Sequence, residues 1–163
     1  MSRIYIGVGS NIEREHHIKA GFQALQQVFH QCRTSTVYES EAYGFQGDPF
    51  YNLVIEAETH LPIEDVCAQL RAIEFAHGRP ANAKKFSGRT LDLDLLAYDQ
   101  MVCDEPLVLP RKEVLQNAFV LRPFAELVPE WVHPRVFKSL SQLWNAFDHQ
   151  KQPLAAISFN WAD

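Results

Sequence analysis

The chain has 163 residues, 47% of them hydrophobic and 21% charged, with a formal net charge of −5. That balance is ordinary for a globular protein with one continuous core, so a single domain over residues 1–163 is expected, and an acidic chain is a poor general nucleic-acid binder. No apolar run nears the ~18 residues of a membrane span and no signal-peptide pattern opens the chain, which points to the cytoplasm. Three cysteines, Cys32, Cys67 and Cys103, are odd in number and widely spaced, unlike a disulfide framework or a structural zinc site.

Ile4, Ile6 and Val8 alternate with polar or small residues and predict a first strand. Gly7-Val8-Gly9-Ser10-Asn11 ends it; Ile12 replaces the third glycine of a dinucleotide fingerprint, and Ser10 or Asn11 is expected to cap a turn or helix immediately after. Ile18, Phe22, Leu25 and Phe29 recur as a helical stripe, with His16, His17 and His30 expected in solvent. Cys32 to Tyr38 reads as one strand. From Glu39 to Phe50, Gly44, Gly47 and Pro49 break all periodicity among three aromatics, Tyr43, Phe45 and Phe50, and a loop of that length is more often functional than a bare connector. Its aromatics either plug the core or suit a flat ring ligand.

A third strand runs over Asn52 to Ala57. Pro62, with Glu64 and Asp65 behind it, starts a second helix whose stripe is Val66, Leu70 and Ile73; Gly78 ends it and Glu74 is expected on the other side. A strand at Arg89 to Tyr98 is followed by a reversal over Asp99 to Glu105 and an extended piece from Pro106 to Pro110. Asn117 to Leu127 predicts a turn and a short helix interrupted by Pro123. Leu140, Leu143 and Trp144 mark a late helix, and Leu154 to Trp161 a terminal strand that joins either the sheet or a partner. The order strand, helix, strand, strand, helix, strand is that of an α+β, ferredoxin-like βαββαβ sandwich: a mainly antiparallel sheet with helices packed on one face. Such folds serve many functions, so the site must decide.

The chemistry gathers at Leu91-Asp92-Leu93-Asp94-Leu95. In a strand the leucines share one face and the aspartates the other, with side-chain bases roughly 7 Å apart. A strand edge in water explains this pattern, and so does a bound divalent cation. Just upstream, Phe75 to Leu91 holds no acidic residue but has Arg79, Lys84, Lys85 and Arg89. A basic loop feeding a carboxylate pair describes a site for a polyphosphate and its metal.

Gly9-Ser10-Asn11, Tyr38-Glu39-Ser40-Glu41, Phe50-Tyr51-Asn52, Glu74 with Gly78-Arg79, Gly88-Arg89-Thr90-Leu91-Asp92-Leu93-Asp94 and Phe119-Val120-Leu121-Arg122-Pro123 occur in that order. In this the chain resembles the hydroxymethyl-dihydropterin pyrophosphokinase family from Arg3 to Pro134. The resemblance implies transfer of pyrophosphate from ATP to the hydroxymethyl group of a reduced pterin, releasing AMP, in folate biosynthesis. It implies that Asp92 and Asp94 hold two magnesium ions and that Arg79 and Arg89 are catalytic, steadying the phosphates. Ser40, Gly44, Phe50, Asn52, Phe86 and Phe119 match the pterin site, with Phe50 and Phe119 sandwiching the ring and Asn52 bonding its edge. Arg71, Glu74, Lys85, Arg111 and Lys112 fall on the ATP side. The expected partners are these small molecules alone, without nucleic acid or membrane, and the expected state is a monomer.

The chain departs from the family pattern at several positions. Ala81 and Lys85 stand where arginines are usual and Phe86 where a tryptophan is. Arg111 replaces a frequent histidine, and Asn117 a frequent arginine; Arg111 and Lys112 return positive charge nearby. Those departures leave an alternative reading, a catalytically weakened paralogue that keeps the fold and serves as a pterin- or nucleotide-binding regulatory module. An RNA-binding module fits poorly with the acidic charge, and a metal-dependent phosphodiesterase shares only the aspartate pair.

Overall fold

The computed structural model describes residues 1–40, 48–78 and 90–162. Its elements are β1 (Ser2–Ser10), α1 (Arg14–Val28), β2 (His30–Thr34), β3 (Val37–Ser40), β4 (Phe50–Thr59), α2 (Ile63–Ala76), β5 (Asp92–Tyr98), α3 (Glu113–Gln116), α4 (Ala118–Leu127), α5 (Leu140–Ala146) and β6 (Ala155–Ile157). The strands form one sheet in the order β5-β1-β4-β3-β6, with β2 also on β4. Every described pairing is antiparallel. β1 is central because its alternation buries both faces: it pairs with β4 from Ser2↔Thr59 to Ser10↔Tyr51, and with β5 from Ile4↔Tyr98 to Gly9↔Asp92.

Each face of the sheet has its own core. Ile4, Ile6 and Val8 pack with Leu91, Leu93 and Leu95, with Ile18 and Leu25 of α1, and with Val66, Leu70 and Ile73 of α2. This is the ferredoxin-like arrangement expected from the element order. The helices are not confined to that face. Tyr5, Val54, Leu96 and Ala97 look the other way and are covered by Val120, Leu121 and Phe124 of α4 and by Leu140 of α5. Each such fully buried side chain contributes about 1.5–3 kcal/mol of transfer free energy, enough to hold a helix on either side. α4 runs unbroken through Pro123, at the cost of the hydrogen bond that position 123 would have given to the Phe119 carbonyl.

Four further expectations need correction. The single strand from Cys32 to Tyr38 is two, β2 and β3, because Ser35 breaks the ladder: its N–H donates to Val54 O at 2.9 Å and its Oγ accepts from Val54 N at 3.0 Å. Neither Ser10 nor Asn11 caps α1; the cap position is Glu13, in left-handed backbone with φ 44°. Ser10 Oγ bonds Ile12 O, and Asn11 Nδ2 donates to Asp48 O at 3.1 Å. His17 is buried, with Nδ1 2.7 Å from Ile12 O. Glu74 is buried too, on the side of α2 that faces β5. The C-terminal strand does join the sheet, as β6 on β3. The three cysteines are free thiols, and none of the described helices is long and apolar enough to cross a membrane.

Candidate active site

Strand alternation carries a set of polar groups onto the α4 face, beyond the end of the second core. Asp94 lies two residues from Leu96, Asn52 two from Val54, and Gly7 and Gly9 two and four from Tyr5, so all share the face of those core residues. The register aligns them: Asp92 opposes Gly9, Gly9 opposes Asn52, and Asn52 opposes Tyr38. Asp94 opposes Gly7 one pleat away. The carboxylate and the amide are thus two strand spacings apart, roughly 10 Å, with only a glycine between them.

That glycine keeps the space clear. A Cβ on Gly9 would stand 3.1 Å from Asn52 Oδ1 and 3.6 Å from Phe50 Cδ1, so the side chains of β4 lean across the central strand. Asn52 is buried and its Nδ2 donates to Ser40 Oγ at 2.7 Å, which leaves its orientation set by β3. Ser40 in turn opposes Phe50. Phe119 is half-buried in the first turn of α4, packed against the second core. Ser40, Phe50, Asn52 and Phe119 therefore come from three elements over one face of the sheet.

On the other side, β5 bulges where Tyr5 and Ile6 pair with Ala97 and Leu95, which turns both Leu96 and Ala97 toward α4. Arg111 N donates to the bulged Leu96 O at 2.9 Å. Docked there, its side chain reaches Asp94, with Nη2 3.5 Å from Oδ1, and Glu113, with Nε 2.9 Å from Oε2. Burial opposes the Arg111 charge, but Asp94 and Glu113 outweigh it and raise its pKa above the ordinary arginine value. The Asp94 side chain keeps 40% of its exposure. Lys112 is exposed beside Arg111, and Arg71 is exposed on α2. Burial pushes the Cys67 thiol up, while the charges of Arg71 and Arg111 pull it back, which puts both guanidiniums within electrostatic reach of one sulfur.

Glu74 works from beneath. Its Oε2 accepts the Leu93 N–H at 2.8 Å, holding the strand between the two aspartates. Sequence reasoning missed Arg14, whose Nη1 bonds Glu39 Oε2 at 2.9 Å and Pro49 O at 3.0 Å while its guanidinium lies 3.8 Å over the Tyr51 ring. It joins the ends of β3 and β4 next to Ser40 and Phe50. No periodic signal marks such a residue. Burial, then the hydrogen bond to Glu126, pushes Tyr38 up to about 12, so its hydroxyl stays protonated and donates to Glu126 of α4 at 2.6 Å. Gly44, Arg79, Lys85, Phe86 and Arg89 lie outside the described residues.

The donor set fits a hard divalent cation incompletely coordinated by protein. Two carboxylates on one strand face supply oxygen ligands, glycines on the neighbouring strand leave room above them, and no third acidic, histidine or cysteine ligand joins them among the described residues. Such an ion keeps positions for water and substrate phosphate. Carboxylates, a guanidinium beside them, and an amide with aromatic rings across a glycine-lined strand are the groups that a metal-assisted transferase acting on a phosphorylated substrate and a planar one requires. The family model for 7,8-dihydro-6-hydroxymethylpterin-pyrophosphokinase (HPPK) matches residues 5–129, and the chain belongs to that family. It is 30% identical over 145 residues to the 2-amino-4-hydroxy-6-hydroxymethyldihydropteridine pyrophosphokinase of Aquifex aeolicus, covering 87% of this chain and 90% of that protein. With the enzyme of the same name from Methylorubrum extorquens it shares 34% over 137 residues, 81% and 86% of the two chains. The wild-type HPPK-DHPS structure of Plasmodium falciparum superposes with a TM-score of 0.68 at 11% identity; the match covers 89% of this chain and 43% of that longer one, and shows a shared fold.

Proposed function

We propose that this chain is an ATP-dependent pterin pyrophosphokinase, moving pyrophosphate from ATP to the hydroxymethyl group of 6-hydroxymethyl-7,8-dihydropterin and releasing AMP, as a step of folate biosynthesis. The observation that carries the assignment of roles is the row Asp92, Gly9, Asn52 across three strands. It sets a carboxylate and an amide on one floor, roughly 10 Å apart, which supports reading one as the ion ligand and the other as the contact to the ring edge.

In this reading Asn52, fixed by Ser40, offers donor and acceptor to the pterin edge, and Phe50 and Phe119 enclose the ring. Asp92 and Asp94 would hold two magnesium ions, which would supply positive charge to offset that of the phosphates. Arg111, with Arg71 and Lys112 near it, attracts the triphosphate; a planar guanidinium suits phosphate oxygens better than an ammonium does. The family resemblance further assigns Arg79 and Arg89 to catalysis, steadying the phosphates, Lys85 to ATP, and Gly44 and Phe86 to the pterin. Glu74 serves the ATP side by holding β5, through its hydrogen bond to the strand backbone between the aspartates. The pterin hydroxyl oxygen forms a bond to the β-phosphorus as the bond from that phosphorus to the AMP oxygen breaks, and the hydroxyl proton is lost to solvent. Positioning and charge supply most of the rate for such transfers. We further propose a single-domain, monomeric, cytoplasmic protein.

The test is AMP formation from ATP, magnesium and the reduced pterin. The expected result is turnover in the wild type and none in Asp92→Ala. A magnesium-saturated wild type that forms no AMP overturns the reading.

A further inference from the structure

The family match ends at residue 129, yet the end of the chain touches each of the elements assigned to the pterin. Gln152 Oε1 accepts the N–H of Ala118, the first residue of α4, at 2.9 Å, while its Nε2 donates to Gln116 O at 2.9 Å. One amide thus closes the joint between α3 and α4 and satisfies an N–H that a helix start otherwise leaves without a partner. The next residue of α4 is Phe119. Three residues beyond Gln152, β6 pairs with β3 through Glu39↔Ala155, Tyr38↔Ala156 and Val37↔Ile157, so it starts at the residue next to Ser40 and runs back along β3 to Val37.

The chain then turns onto the opposite face of the sheet. Phe159 packs edge-on to Tyr51 at 6.3 Å and against Trp161 at 4.5 Å; Trp161 meets Phe22 of α1 at 5.1 Å. Lys19 Nζ secures the end by donating to Ala162 O at 2.8 Å. Tyr51 sits between Phe50 and Asn52. The segment therefore spans from the turn that carries Phe119, along the strand that carries Ser40, to the back of the strand that carries Phe50 and Asn52.

We propose that residues Gln152 to Trp161 form a positioning strap that sets the distance between α4 and the β3–β4 pair, and so the width of the pterin slot. The proposal rests on the pterin assignment made under the proposed function. Its residues touch no reacting group; they act through Ala118, β3 and Tyr51. A loose helix start lets Phe119 withdraw, and a loose Tyr51 lets β4 shift, and either change is felt by the ring ligand before the triphosphate.

The experiment is steady-state kinetics on the full-length chain, with the pterin KM, the ATP KM and kcat measured separately for wild type, Gln152→Ala, Gln152→Glu and Trp161→Ala, and thermal unfolding recorded for each. Loss of a helix cap of this kind corresponds to about a fivefold change in an equilibrium constant. A rise of that size in the pterin KM, with the ATP KM unchanged, is expected for Gln152→Ala. Gln152→Glu keeps the oxygen that caps Ala118 but loses the N–H given to Gln116 O, and should restore only part of the affinity. Trp161→Ala should move the same constant in the same direction. An unchanged pterin KM in a folded Gln152→Ala, or equal rises in both KM values, overturns the strap. A wild type that forms no AMP counts instead against the functional reading; the strap is then judged by direct pterin titration of wild type and Gln152→Ala, with equal affinities overturning it.

Discussion

Arg111 Nη2 stands 3.5 Å from Asp94 Oδ1, on a side chain whose Nε is already committed to Glu113 at 2.9 Å. The longer contact is the weaker one, so Arg111 is braced by Glu113 and leans on Asp94 from the side. A cation bound at Asp94 and the Arg111 charge therefore draw on the same carboxylate. Arg111→Met should lower kcat on the order of a hundredfold, as expected for losing a charged donor aimed at a phosphate, while strengthening magnesium binding in the absence of ATP. Magnesium titration of the free protein alongside AMP release separates the effects. Weaker magnesium binding in the variant would show that Arg111 organises Asp94 rather than competing for it.

Arg14 ties Glu39 to Pro49 across the segment that holds Gly44, with Tyr51 beneath its guanidinium. A charge-assisted hydrogen bond contributes about 1.5–3 kcal/mol, so Arg14→Met should raise the pterin KM about tenfold or more. Arg14→Lys keeps the charge but loses the plane that stacks on Tyr51 and serves two acceptors, and should recover only part of the loss. The ATP KM is expected to stay put; a matching rise there would rule out a role confined to the pterin side.

Glu74 is buried and accepts the Leu93 N–H. Glu74→Ala leaves that N–H without its acceptor in the interior, a cost of about 1–3 kcal/mol, and frees β5 between Asp92 and Asp94. Denaturant unfolding should show the lost stability, and kcat should fall with it. Glu74→Gln retains an acceptor oxygen and should lose less of both. If the alanine variant matched the wild type in unfolding midpoint, the strand would need another anchor.

His133 is 1% exposed, and its Nδ1 accepts the Arg135 N–H at 3.1 Å, so the neutral ring carries its proton on Nε2. Burial first, and the Arg135 charge second, hold its pKa below the ordinary histidine value. The unfolded chain therefore binds this proton more readily than the folded one. The stability involved is fully present above the unfolded pKa of about 6.5 and is lost as pH falls toward the folded pKa, at no more than about 1.4 kcal/mol per pH unit. Unfolding free energies measured from pH 7.5 down to 5 should decline more steeply for the wild type than for His133→Gln. Parallel curves would assign the acid sensitivity to other groups.

Much of the fold was legible because it repeats at short range. Leu91, Leu93 and Leu95 against Asp92 and Asp94 is a two-residue alternation, and it placed the carboxylates on the face away from the first core. The second core was harder to foresee. α4 buries Ala118, Val120, Leu121, Pro123, Phe124, Ala125 and Leu127, and its periodicity shows an apolar face without saying what that face meets; the readable clue was that Tyr5, Val54 and Leu96 are also apolar, on the face the first core does not use. Glu74 could have been placed as well, since it follows Leu70 by four residues and so shares its side of the helix. Ser35 could not, because a hydroxyl standing in for a ladder group looks like any strand serine. Arg14 joins residues 25 and 35 positions away, and Gln152 reaches one 34 away. Contacts of that kind arise from the folded path of the chain and leave no local pattern.

Gly9 has a consequence for inhibition. A Cβ there would crowd Asn52 Oδ1 at 3.1 Å and press on its amide, so the floor beneath a competitive ligand is bare backbone that a side chain could enter only by moving Asn52. A side chain at position 9 large enough to repel an inhibitor would push on Asn52, the amide proposed to read the pterin. An inhibitor confined to that floor and to Asn52 would leave drug resistance to arise from the rim of the slot, at Phe50 and Phe119.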